Sequence, residues 1–170
     1  MKMTTMGTLG LVLAVFAAAA SAQTVNPAKL KIRGIVGLDS TYSQVLKALG
    51  KPIKDGKPTA EECAGGREKS VEYGGLSLSF MDATSKNKKT FQVTSFEVTS
   101  GDWAVSGVKV GDTATTVRAK FGRNYKVETD QETGATSWNY DMGEAVGPGG
   151  TRVVFKGGKV VSISSSYTVC

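Results

Sequence analysis

Two cysteines, fifteen carboxylates and no histidine are the reactive groups of this 170-residue chain. Without histidine there is no Ser-His or Cys-His nucleophile and no side chain that ordinarily exchanges protons near neutrality. The commonest zinc ligand is missing too. Asp130, Glu132, Asp141 and Glu144 form the densest acidic region. Paired carboxylates can cleave glycosides, but these read as solvated loop residues. A calcium site is the functional alternative, yet the spacing and central glycine of an EF-hand are absent. The glycines fall in turn pairs and do not form a phosphate cradle ahead of a helix. The chain is therefore expected not to be an enzyme, and no cofactor is expected.

Cys63 and Cys170 remain. No C-x-x-C pair is present, so redox catalysis is not indicated. In an exported chain an even cysteine count suggests a disulfide. A bridge within the monomer would enclose about 108 residues, worth up to ~4–5 kcal/mol on the chain-entropy account. A dimer linked through Cys170 and two free thiols are the alternatives.

Export itself is read from the N-terminus. Lys2 precedes an apolar run from Leu9 to Ala20 broken only by Gly10, and Ala20-Ser21-Ala22 supplies the small-x-small pattern of a cleavage site. Cleavage is expected between Ala22 and Gln23. The run is short for a bilayer and lacks a basic stop-transfer flank. No cysteine stands just after it, so no lipid anchor is expected. About 148 residues then remain, with a side-chain charge near +5 once Lys2 is removed from the formal +6. The expected location is the periplasm or the exterior, with no membrane span in the mature chain. Lys86, Lys88 and Lys89 form the one tight basic cluster and read as a solvated turn. A nucleic-acid binder would carry its basic residues in a stripe interleaved with aromatics, and no nucleic-acid partner is expected.

The elements that position these groups are announced by an internal echo. Residues 38–50, LDSTYSQVLKALG, align with 110–122, VGDTATTVRAKFG. In the first copy, Thr41 and Gln44 form a capping box. Val45, Ala48 and Leu49 follow at helical spacing, and Gly50 with Pro52 ends the helix. In the second, Asp112 or Thr113 caps; Ala114, Val117 and Phe121 make the apolar stripe, and Gly122 terminates. Helices of about ten residues are marginal alone, so each needs an apolar bed. Strands after each supply it: 70–73, 76–80 and 91–99 in the first half, then 137–140, 152–155 and 160–169 in the second. The alternation slips between Val93 and Phe96, which predicts a bulge there. The segment 126–133 is an additional strand or loop. Gly157-Gly158 predicts a tight hairpin turn.

The predicted class is therefore α+β. Two tandem helix-plus-antiparallel-strand units, 23–100 and 101–170, would form one curved sheet with both helices on one face. A half of about 70 residues buries too little to stand alone, and fusing the two sheets lets them share one core.

Thr41-x-x-x-Val45-x-x-x-Leu49-Gly50-Lys51-Pro52, its partner Thr113 to Gly122, the Trp138-x-Tyr140 strand, the Phe155 strand and the Gly157-Gly158-Lys159 hairpin together resemble a known repeat. It is that of the SmpA/OmlA outer-membrane assembly lipoproteins and of the beta-lactamase-inhibitor-protein-like fold. The resemblance spans nearly all of the mature chain. It implies a curved sheet, helices on the convex side and a concave protein-binding surface. The sequence departs from the pattern in three ways: Asp39 stands where the motif usually begins with glycine, each half has one cysteine, and the lipidated cysteine is missing.

Residues matched between halves would serve packing: Val45 with Val117, Leu49 with Phe121, Tyr73 with Tyr140, Phe80 with Phe155, Phe96 with Ile163. Residues special to one half are freer to carry specificity. Trp103, Tyr125, Trp138 and Tyr167 are the candidate contact aromatics, with Arg67, Lys69 and Arg152 as a polar rim. Against this, Trp103 has an alternative as a plug between halves and Trp138 as core filling. The expected function is an exported protein-binding module, of inhibitor, immunity or envelope-assembly type. Its expected partner is another exported or envelope protein, and the chain is expected to be a monomer or weak dimer. A carbohydrate-binding module or glycan-acting enzyme of the cell wall is the rival reading.

Overall fold

The computed structural model describes residues 26, 29–62, 65–83, 90–142 and 149–168. The expected leader, Cys63 and Cys170, the Lys86, Lys88 and Lys89 cluster and Glu144 lie outside the described residues.

Two short helices form where the echo places them. Helix α1 spans Tyr42–Leu49 behind a complete Thr41–Gln44 capping box. Helix α2 spans Ala114–Phe121, capped by Thr113 rather than Asp112. Asp112 instead uses its carboxylate to accept the Lys109 N–H at 2.8 Å, so the cap falls to the next hydroxyl. Both helices end at a glycine with positive φ, Gly50 at 79° and Gly122 at 86°, a conformation that costs glycine little.

Among the described residues, nine strands make one antiparallel sheet. They are β1 (Lys54–Asp55), β2 (Thr59–Glu61), β3 (Gly66–Tyr73), β4 (Leu76–Met81) and β5 (Gln92–Val98), then β6 (Lys126–Thr129), β7 (Thr136–Asp141), β8 (Gly149–Lys156) and β9 (Lys159–Tyr167). The order across the sheet is β1-β3-β4-β5-β9-β8-β7-β6, with β2 also on β3. The expected polar loop after α1 thus carries two short edge strands, and residues 126–129 are a strand. The bulge falls at Thr94, skipped as Ser79 pairs with Ser95 and Phe80 with Val93. A second, unforeseen one skips Val161, as Val154 pairs with Ser162 and Phe155 with Val160.

Cross-strand pairs share a face. Tyr73, Leu76, Val98, Ile163, Val153 and Trp138 are successive partners and are all buried. Phe80 and Tyr140 have the same parity. Tyr42 of α1 meets Phe80 edge-on at 5.5 Å, and Phe121 of α2 meets Tyr140 edge-on at 5.8 Å. Both helices therefore pack on this face. One buried cluster runs beneath them and takes in Val45, Val117 and Phe121.

The same local contacts occur on either side of the β5–β9 seam. Tyr73 donates to the Gly50 carbonyl at 3.0 Å, and Tyr140 to that of Gly122 at 3.4 Å. Val93 N–H donates to the Ser40 carbonyl and Val160 N–H to that of Asp112, both at 2.9 Å. Asp39 N–H donates to Val93 O, and Gly111 N–H to Val160 O. Asp39, at the place corresponding to Gly111, has φ 71° against 94° for that glycine. Aspartate tolerates this region better than most residues. Ahead of each helix the two entry segments meet through an Ile32–Val105 bridge. Ser106 N–H donates to Lys31 O and Arg33 N–H to Ala104 O, both at 2.8 Å.

Candidate functional site

Alternation sends every second strand residue to the face opposite the helices. That face is polar. One row of cross-strand partners crosses it from edge to edge: Lys54, Glu72, Ser77, Glu97, Ser164, Arg152, Asn139 and Lys126. A neighbouring row runs Ser70, Ser79, Ser95, Ser166. Neither described helix covers it, and Glu72, Ser77, Glu97, Arg152 and Lys126 are exposed. Serine at these positions keeps the face flat, hydrogen-bonding and cheap to order, because its side chain loses little rotamer freedom on contact.

The two ends of the long row differ electrostatically. At one, Lys54 Nζ donates to Glu72 Oε1 at 2.9 Å. At the other, Asn139 stands beside Arg152 and Lys126. Arg152 donates to Ser137 Oγ at 3.1 Å. The Asn139 Nδ2 group is buried and has no hydrogen-bond acceptor, a state that costs about 1–3 kcal/mol. These three residues line a cleft of about 310 Å³ with Tyr140, Asp141, Gly149, Gly150 and Thr151.

The aromatic candidates lie elsewhere. Trp103 is 7 % exposed and Trp138 6 %, so neither offers a partner much surface. Trp103 donates to the Gly74 carbonyl at 2.7 Å, lies edge-on to Tyr73 at 5.8 Å and carries the Arg33 guanidinium 4.1 Å above its ring. Trp138 stacks on Tyr125 at 4.1 Å, with Arg118 bonded to the Tyr125 hydroxyl at 2.9 Å. Tyr167 is half-buried against the core, and its hydroxyl reaches Asp39 at 3.4 Å. Arg67 is held by the buried Asp82 at 2.8 Å. Of the candidate contact residues, only Arg152 projects from the open face. Large aromatics in alternating strands fill core first; the signal for the open face was their strand parity. Asn139, between Trp138 and Tyr140, must point the other way.

Two titratable clusters are internally satisfied. Asp55 accepts from Tyr42 and pairs with Lys69 at 2.7 Å, and Lys69 sits 3.8 Å from the Tyr42 ring centroid. The Lys69 hydrogen bond, helped by that of Tyr42, lowers the Asp55 pKa, while the bond to Asp55 raises that of Tyr42. Asp130 is lowered by the N–H groups of Thr133 and Glu132, which it accepts as a turn-forming residue at 3.0 and 2.9 Å. Among the described residues no three Cys, Asp or Glu side chains converge to hold a metal ion. The larger cleft of about 610 Å³ beside α1 is lined by Lys29, Lys31, Asp39, Ser40 and Gln44 among others. Its Ser40 and Gln44 side chains already accept from Gly37 and Thr41 N–H groups.

No protein-family model and no curated protein matches the sequence. Among solved structures the chain is similar to an extracellular protein containing an SCP domain from Bacillus anthracis str. Ames. The identity is 11 % and the TM-score 0.43, over 97 % of this chain. The chain spans about half, 51 %, of the length of that structure. No described helix is long and apolar enough to cross a membrane.

Proposed function

We propose that this chain is an exported, non-enzymatic binding module built from two copies of one helix-and-strands unit, and that it holds another exported polypeptide against its open sheet face. The mirrored strand order and the paired hydrogen bonds about the β5–β9 seam support the doubled unit. Export rests on the N-terminal sequence pattern. The observation that carries the binding reading is the serine-rich, charge-bearing face of a single nine-stranded sheet, left open by both helices. A sheet needs only one covered face to be stable, so the other is free for contact. Inhibition of a secreted enzyme and assembly of envelope proteins are two versions of this reading.

Affinity capture from the exported fraction tests it. A captured polypeptide should be lost with Glu97→Arg at the centre of the open face and retained with Lys47→Glu on the exposed side of α1. Capture lost equally in both, or a saturable glycan-array signal with no polypeptide partner, overturns the reading.

A further inference from the structure

Counted outward from its centre, the long row on the open face ends in the same residue type on both sides, and the places inside the ends differ. Lys54 and Lys126 occupy corresponding outer places, Glu72 and Asn139 the next, and Ser77 and Arg152 the next. At the first edge the chain supplies its own carboxylate to the lysine, Glu72 to Lys54 at 2.9 Å. At the second edge that carboxylate is replaced by a carboxamide, and a guanidinium is added beside it. Lys126 has no ion pair or hydrogen bond from its side chain among the described residues. Asn139 Nδ2 is buried without an acceptor. Arg152 is paired with no carboxylate among the described residues and gives one N–H to Ser137. All three line the 310 Å³ cleft.

The geometry points to this cleft as a subsite for one carboxylate group, carried by an Asp or Glu side chain of a bound polypeptide. The guanidinium and carboxamide are planar donors suited to a planar two-oxygen acceptor. Charge selects the monoanion. Lys126 and Arg152 stand against Asp141 in the lining, one net positive charge. Asp141, within the lining, opposes a phosphate dianion. The source of the carboxylate rests on the binding reading above; the anion preference of the cleft does not.

Amide NMR of the intact protein tests this, with acetyl-glutamate amide, acetyl-glutamine amide and inorganic phosphate titrated at matched ionic strength. Expected is a saturable shift of the Asn139 side-chain NH₂ and the Gly150 amide with the glutamate probe. The glutamine probe should bind about tenfold more weakly or worse, because charge-assisted bonds are the strong ones. Lys126→Ala should weaken the response. Asn139→Glu, which reproduces the first edge, should keep the fold and abolish it by pairing Lys126 internally. Equal responses to glutamate and glutamine, tighter binding of phosphate, an unchanged response in Asn139→Glu, or no saturable shift each overturn the assignment. A glutamate response without any polypeptide capture would leave the subsite standing and remove the function proposed for the face.

Discussion

Replacing Asp82 by asparagine should expose how the first half of the sheet closes its far end. Asp82 follows β4 and is 2 % exposed. Its carboxylate accepts the Arg67 N–H at 2.6 Å and the Arg67 Nε–H at 2.8 Å. Burial pushes its pKa up, but the Arg67 amide and guanidinium outweigh burial and hold it below the usual carboxylate value. The Asp82→Asn side chain would keep the shape and one acceptor oxygen and lose the charge on both bonds. Hydrogen bonds to charged groups contribute about 1.5–3 kcal/mol each. The Arg67 side chain is 52 % exposed, so solvent screens the guanidinium's share strongly. A net loss of about 2 kcal/mol follows, or about 4–8 °C in Tm for a domain of this size. The sign with pH is fixed by the lowered pKa. The carboxylate's contribution is complete above the unfolded value, about 3.9, and disappears as pH falls through the lower folded value. Thermal unfolding of Asp82→Asn and wild type, followed by circular dichroism from neutral to acid pH, should show a gap that is widest at neutrality and closes in acid. A gap of equal size at both extremes, or none at neutrality, would refute the argument that the charge ties this end together.

The buried Trp103 should be costly to lose: Trp103→Ala by about 3–5 kcal/mol through the cavity left behind, and Trp103→Phe by about 1 kcal/mol through the lost hydrogen bond to the Gly74 carbonyl, both read from urea unfolding. Gly75→Ala should be far worse than Gly157→Ala. Both have positive φ, 76° and 58°, costing about 1 kcal/mol for a side chain, but only the Gly75 Cβ would meet another atom, Ser100 Cβ at 2.2 Å; equal melting temperatures for the two variants would contradict this. Tyr73→Phe should cost about 1 kcal/mol for its 3.0 Å bond to Gly50, and Tyr140→Phe less, because its bond to Gly122 is 3.4 Å; equilibrium unfolding of the pair in parallel gives the order.

Much of the scaffold was legible because its signals are local. The Thr41–Gln44 box, the Val45 and Val117 stripes and the glycine stops fix both helices within a residue or two. Strict alternation from Leu76 to Phe80 fixes β4, and its break near Val93 locates the Thr94 bulge. The matching bulge at Val161 was hidden because Val160 and Val161 read as one apolar run, with no change of phase to betray an extra residue. The short β1 and β2 lack any hydrophobic pattern and exist by pairing with β3, a tertiary effect. The site was less legible. Trp103 and Trp138 attracted attention by size, yet size draws a ring into the core when its neighbours are apolar. Asn139 and Lys126 are ordinary residues whose significance comes from standing in one cross-strand row with Arg152, and such registers are set by the whole sheet. Arg152 was singled out with Arg67 and Lys69 for its charge alone; its place on the open face follows from the inward Val153 beside it.

The seam between β5 and β9 has a consequence for biogenesis. The ninth strand in order of synthesis is the one that occupies the middle of the sheet. Until residues 159–167 arrive, the edge of β5 from Ser95 to Val98 lacks its partner, the kind of border that recruits other chains. Pairing residue 95 with residue 166 also requires closing a long loop of polypeptide, a slow step for any topology dominated by distant contacts. A nascent chain stalled or clipped ahead of residue 159 would thus be left with its centre open, sticky along a strand that the finished molecule never shows.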